Sequence, residues 1–224
     1  MNYTIFIPVV IVLLETSCSG NRDNKVEVTQ QRAPVKCMEN SPERRGEEGC
    51  TILANRPLVG SLNDSVYWHL DQYETLQAAQ EATGPNSVAA EAHGSFWLLT
   101  VEPKTDQHSS ASHIAWIGPI EPPNAADYMM RVQSSLLTPG STTYAHQHSG
   151  PEVIYVVDGE QCMETANTGN RIGAGQSLIV PTGGVHRGTV SGSQVRRALA
   201  LILYDSARPA SEDLKDTKGL VECK

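Results

Sequence analysis

GSTTYAHQHSGPEVIYVVDG, residues 140–159, is the stretch on which the reading of this chain turns. A β-strand points successive side chains to opposite faces, so His146 and His148 aim their imidazoles into one volume while Gln147 points away. Tyr144, two residues earlier, is expected on that same side, where its phenol can donate a hydrogen bond to a bound ligand. Ser149, Gly150 and Pro151 reverse the chain, and Glu152 opens the returning strand opposite the two histidines. The two histidines thus form a clamp to which Glu152 adds a carboxylate, donors of the kind a divalent ion takes. A second stretch, GQSLIVPTGGVH, spans residues 175–186 and ends in His186.

Outward from these stretches the chain reads as short apolar runs bounded by Gly, Pro, Asn and Asp. Strands are expected from Thr51, at Val66–Leu70, Ser87–Ala92, Ser95–Val101 and His113–Ile117, then at Tyr128–Leu137, Thr142–His148, Glu152–Val157, Gln161–Thr165, Ser177–Val180, His186–Val190 and Arg196–Tyr204. The 18 Gly and 13 Pro suit strands joined by tight turns, and the dense succession after Tyr128 predicts an antiparallel sandwich or barrel. One helix is expected, Tyr73–Thr83, stopped by Gly84 and Pro85. Trp68, Trp97 and Trp116 are expected to fill the core of the N-terminal strands.

The balance of 17 Lys plus Arg against 25 Asp plus Glu opposes a surface built to neutralise nucleic-acid phosphates, and no helix-turn-helix pattern is present. The apolar run Ile5–Leu14 is too short to span a bilayer and fits the core of a secretory signal over residues 1–19. It lacks a preceding Lys or Arg, and Cys18 offers lipid anchorage as the alternative to simple cleavage. The expected location is therefore secreted or periplasmic. Removing a signal through Cys18 leaves Cys37, Cys50, Cys162 and Cys223, which allow three pairings or a set of unpaired thiols. Cys37 and Cys50 bracket a polar stretch with little apolar content, so a disulfide between them is the expected restraint, with Cys162 and Cys223 unassigned.

The two stretches together resemble the paired signature motifs of the cupin superfamily, in particular single-domain, type-2 cupins. The match is carried by Gly140, His146, His148, Glu152 and Gly159, then by Gly175, Pro181, Gly183 and His186. That resemblance implies an all-β fold, an antiparallel jelly-roll-like barrel over residues 128–205. It also implies one divalent metal ion, of Mn, Fe, Zn, Ni or Cu, held by His146, His148, Glu152 and His186. One position departs from the motif: Val190 stands where a cupin usually carries Asn, which removes a polar lining group. Around the barrel, residues 20–50 read as a polar arm, 51–127 as added strands and a helix, and 206–224 as a C-terminal tail.

Arg131 and Gln133 alternate onto one face of their strand and are candidates to orient a substrate carboxylate. His69, His93, His108 and His113 stand outside the motifs and receive no role. Cupins include oxygenases, isomerases, regulators and binding proteins, and fold does not choose among them. The expectation is a metal-dependent, oxygenase-like enzyme acting on a small organic molecule, with Tyr144 at the reacting end. The alternative is a non-catalytic, metal-assisted binding protein of the periplasm or cell surface. Either would act on a small-molecule ligand, without nucleic acid and without a transmembrane span, with a homodimer left open.

Overall fold

The computed structural model describes residues 33–39, 46–60, 62, 64–103, 112–215 and 219–223. The expected signal over residues 1–19, with Cys18, lies outside them, as do residues 20–32 and 40–45 of the arm and His108.

The described residues form three sheets. The first runs in the order β1 (Cys37–Glu39), β2 (Gly49–Pro57), β7 (Tyr128–Leu137), β14 (Arg196–Asp205), β9 (Glu152–Asp158), β12 (Ser177–Val180). The second runs β11 (Gly169–Gly173), β10 (Glu160–Thr165), β13 (His186–Ser191), β8 (His146–Gln147), β15 (Glu212–Asp213). The third runs β4 (Ser87–Ala92), β5 (Ser95–Glu102), β3 (Val66–Tyr73), β6 (Ser112–Ile120). Pairing is antiparallel apart from β1 on β2. The all-β class expected from the sequence is the class observed.

Strand alternation divides the first sheet between two environments. On one face Met130 and Val132 of β7, Val153 and Tyr155 of β9, and Leu199, Leu201 and Leu203 of β14 are buried against Trp68, Leu70, Trp97 and Leu99 of the third sheet. Each such leucine contributes roughly 1.5–3 kcal/mol by leaving water. On the other face Arg131, Gln133 and Ser135 of β7, Glu152 and Ile154 of β9, and Arg196, Ala198 and Ala200 of β14 line a cavity shared with the second sheet. The cavity floor is therefore the reverse side of the main core, which holds it rigid.

Four local features differ from the sequence reading. Trp116 is not a core residue: its register partner is His69, on the face of β3 away from Trp68 and Leu70, and it remains 36% exposed with its ring 4.8 Å from that of His113. The helix is shorter, α1 (Leu76–Glu81), because Tyr73 is the buried end of β3 and Thr75 is the N-cap, accepting from the Ala78 N–H at 3.1 Å. Regular pairing over Thr142–His148 is confined to β8, with Thr142 and Thr143 in isolated bridges. Ser149–Pro151 is a crossover between sheets, not a hairpin turn: β8 pairs with β13 and β15, whereas β9 pairs with β14 and β12.

The crossover depends on a glycine. Gly150 lies against the backbone of β14, where a Cβ would come within 1.6 Å of the Leu203 carbonyl oxygen, and Leu203 N donates to Pro151 O at 3.1 Å. Disulfides join Cys37 to Cys50, register partners in β1 and β2, and Cys162 to Cys223. Two such bonds fit an oxidising compartment. Among the described residues no helix is long and apolar enough to cross a membrane. Because the obstructing atom is backbone, Gly150→Ala is expected to lower unfolding free energy by about 1–3 kcal/mol, the range of overpacked cores, as read by denaturant titration. A change within about 0.5 kcal/mol would show that the crossover tolerates a side chain.

Candidate metal centre

His146, His148, Glu152 and His186 converge at the cavity wall, and one ligand atom from each lies within 4.8 Å of all the others. The second sheet supplies His146 and His186, which are direct cross-strand partners, while Glu152 opens β9 in the first sheet. His148 follows β8 at the crossover, so a two-residue spacing and one change of sheet bring donors from both walls together. The ring centroids of the three imidazoles are 4.2–5.2 Å apart.

Each imidazole is oriented through its other nitrogen. His146 Nδ1 donates to Tyr144 O at 2.7 Å, His148 Nδ1 to Ala210 O at 2.7 Å and His186 Nδ1 to Gly184 O at 2.9 Å. A carbonyl can only accept, so in the neutral ring the proton stays on Nδ1 and Nε2 presents a lone pair. Nε2 of His148 and of His186 is buried with no partner in hydrogen-bond geometry. The Glu152 carboxylate nevertheless comes within 3.5 Å of His148 Nε2 and 2.8 Å of His186 Nε2. Lone pairs this close repel unless a cation lies between them, either a proton or a metal ion. Donor atoms about 2.1 Å from a common ion would stand at comparable separations, so the donor set fits a divalent metal.

Protonation of the ion-free group follows the same logic. Burial and the neighbouring His186 lower the pKa of His146 to about 4. His186 is also opposed by burial, but the adjacent Glu152 carboxylate outweighs it and raises the imidazole above its ordinary 6.5. Glu152, despite burial, is held well below the usual carboxylate range by His148 and His186.

The cavity measures about 290 Å³ and carries Arg131, Gln133 and Tyr144 in its wall together with the four donors. Tyr144 is at the rim, 37% exposed, with Lys36 Nζ 5.2 Å above its ring. Val190 is buried opposite Gln161 of β10, and Gln161 lines the cavity, so a polar group stands beside the apolar replacement. Two contributions were not readable from motifs. Arg196, 5% exposed and lowered by burial to about 10, also lines the cavity. The C-terminal segment supplies the Ala210 carbonyl to His148, the Pro209 carbonyl to Ser149 Oγ at 3.0 Å, and Asp213 to Lys36 at the rim. Only the strand-like pair Glu212–Asp213 could have hinted at it. His93 instead meets Ala198 O at 3.0 Å and His113 meets Asp71 at 2.9 Å, both apart from the four donors.

Residues 134–202 match the family model of the cupin domain. No curated protein matches the chain. Among solved structures it is similar to a cupin 2 conserved barrel domain protein from Salinispora arenicola CNS-205, at 18% identity over 35% of this chain and 65% of that one, with a TM-score of 0.32. The alignment thus spans just under two thirds of that protein's length. Others are a cupin superfamily protein from Desulfitobacterium hafniense DCB-2, at 16% identity over 34% and 68% with a TM-score of 0.32, and the polyketide cyclase RemF from Streptomyces resistomycificus, at 18% over 45% and 83% with a TM-score of 0.34.

In metal-free protein, His146 is expected to titrate near pH 4 and His186 above 6.5. Long-range proton–nitrogen NMR spectra of the imidazoles check this. His146 and His186 titrating together near 6.5 would mean that the two are not buried and coupled as described.

Proposed function

With residues 134–202 a cupin domain, we propose that this protein is a metal-dependent enzyme, oxygenase-like, acting on a small organic molecule at His146, His148, Glu152 and His186. The observation that supports it is the set of imidazoles whose Nδ1 protons are committed to carbonyls and whose Nε2 atoms face one carboxylate in a cavity. Four protein donors leave about one or two positions on an ion that takes five or six ligands. A divalent ion there would supply Lewis acidity or, if redox-active, electron exchange with a coordinated substrate. The chain's own residues do the rest: the apolar wall of Leu137, Ile154 and Met163 excludes water, Arg131 and Gln133 orient the substrate, and Tyr144 donates a hydrogen bond at the rim.

The same apolar wall would serve a non-catalytic protein that retains a ligand, and turnover separates the two readings. Export from the cytoplasm, with cleavage or lipidation near Cys18, belongs to this proposal. The two disulfides support it.

Alanine at His146, His148, Glu152 or His186 is expected to lower metal occupancy after dialysis roughly tenfold or more, measured by elemental analysis, while His113→Ala retains it. Occupancy also depends on pH with a defined sign. The proton that His186 holds above pH 6.5 must leave before Nε2 can bind, so affinity rises with pH, flattens above that raised value and is lost on acidification. Wild-type stoichiometry in all four variants would sink the metal reading. Tyr144→Phe is expected to retain the metal and to lower turnover roughly 10²-fold or more, the span of a lost proton-donating group.

A further inference from the structure

Arg196 is a buried cation without a counter-anion of its own. Its guanidinium donates to Ser135 Oγ, its Nε is buried with no acceptor, and among the described residues no carboxylate lies within ion-pair distance. Burying a charge is costly unless it is paired, and a guanidinium presents a planar fork of donors that matches a carboxylate. The cavity has a surplus of such charge, with Lys36, Arg131 and Arg196 in its wall against Glu152 and Asp213. Asp213 is already paired with Lys36, and Glu152 faces the histidines. Arg131 likewise has a buried Nε without an acceptor, its guanidinium 5.7 Å from the Tyr204 ring.

The sheet register gives these groups an order. Ile202 of β14 pairs with Arg131 on one side and Glu152 on the other, and the next inward row is Gln133, Ala200 and Ile154. The row beyond holds Ser135 and Ala198, and Arg196 pairs with Leu137 at the end of the ladder. Two alanines between the donor end and Arg196 leave room for a ligand above the floor, and Leu137, Ile154 and Met163 give it an apolar wall.

We propose that Arg196 is the anion anchor of the cavity and that the ligand is a small monocarboxylic acid with an apolar body. Its carboxylate pairs with Arg196, its body lies over Ala198 and Ala200, and its far end reaches the group of His146, His148, Glu152 and His186. The far-end placement rests on the metal reading above; the carboxylate–Arg196 pair does not.

The test is calorimetric titration of the full chain, metal-free and metal-loaded, with butanoate, hexanoate and benzoate against butanamide, hexanamide and benzamide. Carboxylates are expected to bind roughly tenfold or more tighter than their amides in both forms, the span of one charge-assisted pair. Arg196→Gln is expected to erase the difference, and Arg196→Lys, which keeps the charge but loses the fork, to restore part of it. The wild-type comparison stands even where a variant fails to fold. Equal binding of acids and amides, or none of either, overturns the anchor. So does carboxylate binding confined to metal-loaded protein and unaffected by Arg196→Gln, since the acid is then a metal ligand only. Retained acid selectivity in a protein that takes up no metal would instead leave the anchor standing and remove the metal reading.

Discussion

A buried imidazole can offer a lone pair from one nitrogen only if the proton on the other has an acceptor, and in this protein three main-chain carbonyls meet that requirement. Tyr144 and Gly184 supply two of them from positions two residues before the histidines they hold, so each of those strands orients its own donor. Ala210 supplies the third from a distant part of the chain. With the Nδ1 protons so placed, the Nε2 atoms and the Glu152 carboxylate face one another at distances that call for a cation. The fold around them serves to keep that arrangement from relaxing.

Rigidity comes from the first sheet having two uses. Met130, Val132, Val153, Leu199, Leu201 and Leu203 face the third sheet in the main core, while Arg131, Gln133, Ile154, Ala198 and Ala200 between them face the cavity. A shift of the cavity floor would therefore disrupt packing on the other side, where interiors are dense and respond poorly to displacement. The Gly150 crossover passes the chain from one cavity wall to the other within four residues of sequence, between His148 and Glu152. That is why the spacing of these two donors is short although they belong to different sheets.

Much of this was legible in the sequence because it rests on side chains with fixed spacing. The alternation in His146–Gln147–His148, the strand punctuation after Tyr128 and the Gly and Pro positions of the second stretch carried the all-β class and the donor set. What stayed hidden depends on partners distant in sequence. A carbonyl acceptor has no residue signature, so Ala210 could not be found, and the segment after residue 205 read as a tail although it pairs with β8 and is tied by Cys223 to Cys162. Trp116 was misplaced because its face is set by register against His69, and the Ser149–Pro151 reversal reads alike for a hairpin and a crossover. Arg196 sits at a strand end, where a charged residue ordinarily signals solvent.

The central claim, that these carbonyl-anchored imidazoles and Glu152 hold one divalent ion through Nε2, is tested most directly by X-ray absorption at the metal edge of the reconstituted full-length protein. The account predicts a first shell of nitrogen and oxygen at about 2.0–2.2 Å, with outer-shell scattering from three imidazole rings that falls to two in His148→Ala. A spectrum without imidazole scattering, or one unchanged by His148→Ala, would contradict it.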